Sequence, residues 1–177
     1  MKSYDYAHRK GIEEISWERF GELSRALIEQ LADKKIDIVI GIARGGLFPA
    51  TAVACALRRE LYPVRVTRRV NDVVQYESPI WRVDVPSTVA GQSVAVIDEI
   101  DDTGETLALV AARALERGAR HVWILSLVAH SWANPQPDFT ALTSDALLIF
   151  PWDKEVYTKA GWQMHPELVE AIRAQDS

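Results

Sequence analysis

The chain holds a single cysteine in 177 residues, so no intrachain disulfide can brace it and a reducing compartment is expected. Cys55 lies in an Ala-rich apolar stretch and reads as a buried core thiol, not a nucleophile. No run of 18 apolar residues exists, so no membrane-spanning helix is expected. Met1 to Lys10 is polar and lacks the apolar core of a secretory signal, which points to a cytoplasmic protein. Basic residues are not in excess. Lys and Arg number 20 against 25 Asp and Glu, and the net charge of −5 argues against nonspecific binding to nucleic acid or membrane surfaces as the main role. Repeats, low-complexity tracts and linkers are absent. What remains is 48% hydrophobic and 25% charged, as in a soluble globular protein, and the length suits one domain, 1–177, with one sizeable core.

Apolar periodicity alternates between helical and extended. Residues 17–34 read as an amphipathic helix capped by Ser16, with Phe20, Leu23, Leu27, Ile28 and Leu31 on one face. Strands are expected at 36–40, 64–67, 93–97, 122–129 and 146–150. Further helices are expected at 47–60, 105–117 (with Gly118 just past its end) and 166–174, the last opening on Pro166. Residues 131–144 read as a Pro-containing loop. Residues 68–90 carry turn signals at Asn71-Asp72, Ser78-Pro79 and Pro86-Ser87, and are too long for an ordinary connection; a functional loop or an extra hairpin is expected there. Strands alternating with helices give an α/β fold with a mostly parallel central sheet flanked by helices. Ligands of such sheets bind outside the carboxyl ends of the strands.

Two strand ends carry the chemistry. The first strand runs into Gly41-Ile-Ala-Arg-Gly-Gly46, where glycines free the backbone and Arg44 supplies a planar cation suited to phosphate oxygens. The spacing mimics a nucleoside-triphosphate P-loop, but Leu47-Phe48 stand where that motif needs Lys-Ser/Thr, and no GxGxxG occurs. The second is Val96-Ile-Asp-Glu-Ile-Asp-Asp-Thr-Gly-Glu-Thr-Leu107, with five acidic residues in the eight positions from Asp98 to Glu105. A buried strand ends in carboxylates, and a hydroxyl-rich helix start follows. The helix start offers N–H groups, positive dipole and the Thr103 and Thr106 hydroxyls to a phosphate. Asp98 and Glu99, acceptors when ionised, suit a ribose diol or a hydrated cation.

The 96–107 segment resembles the phosphoribosyl-pyrophosphate (PRPP) motif of the type I phosphoribosyltransferases, and Gly41–Gly46 resembles the pyrophosphate loop of their purine branch. The resemblance covers roughly residues 36–155. It implies that the 5′-phosphate rests on Thr103, Gly104, Glu105 and Thr106, the ribose hydroxyls on Asp98 and Glu99, and the pyrophosphate on Ala43, Arg44 and Gly45 through Gly46. It also implies a cis peptide at Ala43–Arg44 and Mg²⁺ held mainly by PRPP with Asp98 and Glu99 nearby. Asp102 matches the carboxylate that exchanges a proton with the base, Asp101 being the competing candidate, while Arg44 stabilises the leaving pyrophosphate. The 68–90 segment corresponds to the lid. It holds Arg68, Arg69 and Arg82 but no lysine, so the catalytic lysine that some relatives carry there is missing.

Phe150-Pro-Trp-Asp153 is similar to the hood, about 131–165, of the xanthine/hypoxanthine/guanine branch, which implies base contacts at His130, Leu147, Leu148 and Asp153. Two positions depart from that branch. His130 replaces the usual lysine, and Leu147 replaces the usual stacking aromatic, for which Trp132 and Trp81 are alternatives. The expected function is transfer of phosphoribose from PRPP to a 6-oxopurine in purine salvage, by a homodimer or tetramer. A PRPP- or nucleotide-sensing regulator on the same fold, or a transferase for a different base, is the alternative.

Overall fold

A computed structural model of the chain describes residues 9–67, 69–70, 73–76 and 79–175. Arg68, the Asn71-Asp72 and Ser78 turn signals and most of the polar Met1–Lys10 segment lie outside the described residues. In chain order the elements begin with β1 (Ile12–Glu14), α1 (Trp17–Glu29), β2 (Ile38–Ile42) and α2 (Leu47–Leu57). Next come β3 (Glu60–Thr67), β4 (Arg69–Val70), β5 (Val73–Val74) and β6 (Ile80–Val83), then β7 (Ser93–Asp101) and α3 (Glu105–Glu116). The remainder is β8 (His121–Ala129), β9 (Phe139–Thr143), β10 (Leu147–Ile149), β11 (Glu155–Thr158), β12 (Gly161–Met164) and α4 (Pro166–Gln175). The chain forms two compact units, Leu23–Thr143 and a second built from the two ends of the chain, up to Glu22 and from Ser144.

The larger unit is a six-stranded sheet in the order β6-β3-β2-β7-β8-β9. All pairings are parallel except β6 on β3. Alternation along the strands divides the core in two. Ile38, Ile40, Val94 and Val96 pack with Leu107, Val110 and Ala114 of α3 on one face. Val39, Ala95, Ile97 and Leu125 pack with Leu27 of α1 and Ala50, Val53 and Ala54 of α2 on the other. Both faces being covered, the central strands read as continuous apolar runs, as buried parallel sheets require.

Several expectations move. The first helix ends at Glu29, with turns rather than helix up to 33. The second ends at Leu57, and β3 starts at Glu60 because that residue registers against Ile38. The stretch 131–144 contains a strand, β9, laid parallel to β8. Within 68–90 the described residues hold the expected extra hairpin: β6 returns antiparallel to β3, and β4 pairs with β5 in a two-stranded sheet of its own. Cys55 is exposed, not buried: the buried face of α2 is Pro49, Ala50, Val53 and Ala54, and Cys55 falls off it.

In the smaller unit β1 pairs parallel with β10, and β11 pairs antiparallel with β12. Phe150 stacks on Trp152 (4.9 Å, 9°), and Trp152 meets Trp17 and Phe20, so it belongs to an aromatic cluster. Among the described residues no helix is long and apolar enough to cross a membrane.

Candidate active site

The sheet order dictates where a ligand fits. From β2 the chain leaves through α2 to β3 on one side; from β7 it leaves through α3 to β8 on the other. The crevice at that switch lies between the carboxyl ends of β2 and β7, flanked by the turns that follow them. These turns are residues 43–46 and 102–104, the two motifs singled out by sequence.

The first turn is fixed by backbone contacts. Ala43 N–H donates to Val64 O (2.8 Å), and the carbonyls of Arg44, Gly45 and Gly46 accept from the first residues of α2. The Ala43–Arg44 peptide is cis. Gly45 and Gly46 are needed for contact with the second motif. A Cβ on Gly46 would stand 2.7 Å from Asp98 Oδ1 and 2.9 Å from Asp98 Cα; one on Gly45 would fall among the carboxylate atoms of Glu99. The pyrophosphate-loop candidate and the acidic pair are therefore in van der Waals contact through two missing side chains.

Within the acidic pair, Glu99 N–H donates to Asp98 Oδ1 (2.9 Å). Burial, reinforced by the neighbouring Glu99 charge, pushes the Asp98 carboxyl well above the usual carboxylate range. A cation or a hydroxyl donor placed at the pair would relieve that cost.

Asp101, the last residue of β7, turns inward. Its Oδ1 accepts the Gly104 N–H (2.8 Å), while Oδ2 is buried with no hydrogen-bond partner among the described residues. Burial raises its pKa, and the Asp102 charge adds to the shift. Asp101 thus shapes the turn in which Gly104 sits at φ +85°. Asp102 is half-buried. Its Oδ1 accepts the Trp132 indole N–H at 3.3 Å and lies 3.9 Å from His130 Nε2. Thr103, Glu105 and Thr106 are exposed at the start of α3, whose first-turn N–H groups have no intrahelical partners. Thr103 Oγ1 accepts the Glu105 N–H at 3.4 Å.

A third segment closes over this turn. His130 N–H donates to Asp101 O (3.0 Å) and Asn134 N–H to Thr103 O (3.1 Å). The Asn134–Pro135 peptide is cis, and a Cβ on Gly104 would stand 2.5–2.6 Å from backbone atoms of Asn134 and Pro135. Gln136 Nε2 donates to the carbonyls of His130, Ser131 and Ala133 and holds the segment folded. His130 is fully buried, and its imidazole stacks on Trp132 (4.4 Å, 14°).

The larger unit thus brings together Ala43, Arg44, Gly45, Asp98, Glu99, Asp102, Thr103, Gly104, Glu105, Thr106 and His130. Leu147 and Leu148 are buried in β10 of the smaller unit, and Asp153 is exposed beyond it. Sequence reasoning missed the inward role of Asp101 and the Trp132–Asp102 contact. No group of three or more His, Cys, Asp or Glu among the described residues could hold a metal ion on its own.

Two glycine-bearing turns, a helix start and an acidic pair at the switch point of an α/β sheet suit a sugar phosphate. The phosphoribosyl transferase domain model matches residues 11–158. The xanthine-guanine phosphoribosyltransferase of Cereibacter sphaeroides is 31% identical over 163 residues, covering 82% of this chain and 89% of that protein. That of Idiomarina loihiensis is 27% identical over 165 residues, covering 92% and 94%. Among solved structures, a purine phosphoribosyltransferase from Pyrococcus horikoshii superposes with a TM-score of 0.73 at 27% identity, covering 81% of this chain and 94% of that one. The chain belongs to the phosphoribosyl transferase domain family.

Proposed function

We propose that this protein transfers the 5-phosphoribosyl group of PRPP to a ring nitrogen of a 6-oxopurine and releases pyrophosphate. The observation that carries the reading is the contact of the 43–46 turn with Asp98 and Glu99, beside the 103–106 helix start, at one switch point. Two anion sites flank one acidic pair, as a pentose phosphorylated at both ends requires. The names of the xanthine-guanine relatives support a 6-oxopurine as acceptor.

In the reaction the C1–O bond to pyrophosphate breaks, a C1–N bond forms, and the base loses a proton. The backbone N–H groups at 103–106 and the Thr103 and Thr106 hydroxyls hold the 5′-phosphate. Asp98 and Glu99 accept from the ribose hydroxyls. Arg44 and the backbone of Ala43, Gly45 and Gly46 stabilise charge developing on the departing pyrophosphate. Asp102 takes the proton from the base nitrogen. The donor set fits Mg²⁺: two carboxylates whose repulsion a hard cation relieves, and too few protein ligands for a closed cage. Asp98 and Glu99 would hold it together with PRPP oxygens, and the ion would supply further charge neutralisation on the pyrophosphate.

Pyrophosphate release from PRPP with hypoxanthine, xanthine or guanine tests the reading. Turnover with at least one is expected, and none with any would reject the purine assignment. Asp102→Asn is expected to cut kcat far more than it weakens PRPP binding; equal losses would remove its acid–base role.

A further inference from the structure

Two rings pack beside the Asp102 carboxylate. Trp132 places its indole N–H 3.3 Å from Asp102 Oδ1. The plane of that indole is set by His130, fully buried and stacked against it at 4.4 Å and 14°. His130 is in turn pinned to the same turn, its backbone N–H on Asp101 O. The backbone bond from Asn134 to Thr103 and the three carbonyl contacts of Gln136 fix the segment that carries both rings.

We propose that Trp132 is a positioning residue for Asp102. The indole N–H holds Oδ1 and so sets the plane of the carboxylate and the direction of Oδ2. His130 acts one step further back, as the floor that keeps the indole edge-on to the carboxylate. A carboxylate that must meet a base nitrogen within hydrogen-bond reach gains from being held in one orientation. A lone indole on an exposed loop would lose rotamer freedom in providing this bond; stacking on a buried imidazole fixes the ring beforehand. The inference rests on the role proposed for Asp102, but the contact it depends on can be tested apart from turnover.

Trp132→Phe keeps an aromatic ring over His130 and removes the indole N–H. It is expected to lower kcat on the order of tenfold while leaving PRPP affinity unchanged. In an Asp102→Asn background the same change is expected to cost less than about twofold, because a residue acting through Asp102 has nothing left to orient. Equal losses in both backgrounds would overturn the proposal, as would a loss seen only in PRPP affinity. The contact is read directly in the ¹⁵N-labelled full chain. Of the six tryptophan indole N–H signals, the one missing in Trp132→Phe is expected to move most on Asp102→Asn. An unmoved signal would overturn the proposal whether or not the protein turns over a purine. If no base is turned over and the signal does move, the proposed function falls and the positioning contact stands.

Discussion

Replacing Gly45 by alanine separates what the acidic pair does for the fold from what it does for the ligand. Gly45 is not among the residues at positive φ, so alanine adopts its backbone without strain. The added Cβ falls among the carboxylate atoms of Glu99, the far end of a flexible, half-buried side chain. That side chain can swing toward solvent, and the loss of chain entropy in the unfolded state offsets part of the cost. Unfolding free energy in urea is therefore expected to change by no more than about 1 kcal/mol. Binding is a different matter. The Cβ displaces Glu99 from the place proposed for it at the ribose hydroxyls and fills space where the backbone would approach pyrophosphate. Calorimetric titration with PRPP and Mg²⁺ is expected to show at least about tenfold weaker binding, about 1.4 kcal/mol. A folded variant that binds PRPP as tightly as the parent would refute the placement of Glu99 and the 43–46 turn at one ligand. A loss of several kcal/mol in stability would refute the claim that the neighbour can yield.

Gly104→Ala meets the opposite situation, positive φ and a Cβ 2.5–2.6 Å from backbone of Asn134 and Pro135; urea unfolding is expected to show a loss of about 2–4 kcal/mol, and no change would contradict the contact. Asp84 binds Arg113 and Arg117, and the Arg113 guanidinium in particular holds its carboxyl well below the usual carboxylate range. Its pKa being lower folded than unfolded, its stabilisation is present above about pH 4 and is lost as pH falls below that value. Asp84→Asn should cost roughly 1 kcal/mol at pH 7, discounted for partial exposure, and should flatten the acid limb of the stability–pH curve; an unchanged limb would contradict the assignment. Ser16→Ala removes the Oγ that accepts the Arg19 N–H at 3.1 Å, and thermal unfolding should register a loss of about 1 kcal/mol.

The central strands were legible because buried parallel strands are apolar without interruption, as in Ile38–Ile42 and Val94–Ile97. The short peripheral strands were not. Ile12–Glu14 has one apolar residue in three and is a strand only because it registers on Leu147–Ile149. Phe139–Thr143 lies behind Pro135 and Pro137, which mask its alternation, and its place beside β8 is a long-range pairing. Tyr157 and Trp162 of the β11–β12 hairpin, exposed and edge-to-face at 5.4 Å, carry no core-facing stripe to announce two strands. In the site, the residues of the two turns were readable from spacing, since glycine, threonine and acid must fall at fixed offsets from a strand end. Asp101 was ambiguous beside Asp102 because spacing does not say which of two adjacent carboxylates turns inward; the Gly104 N–H decides it. Trp132 was undecided because its contact depends on the 130–136 segment folding back over the Asp101–Gly104 turn.

A crystal structure of the protein with PRPP and Mg²⁺ tests the account most directly. One PRPP molecule is expected to span the switch point, its 5′-phosphate on the N–H groups of 103–106, its ribose hydroxyls on Asp98 and Glu99, and its pyrophosphate against 43–46. A PRPP molecule engaging only one of the two turns, or bound elsewhere, would contradict it.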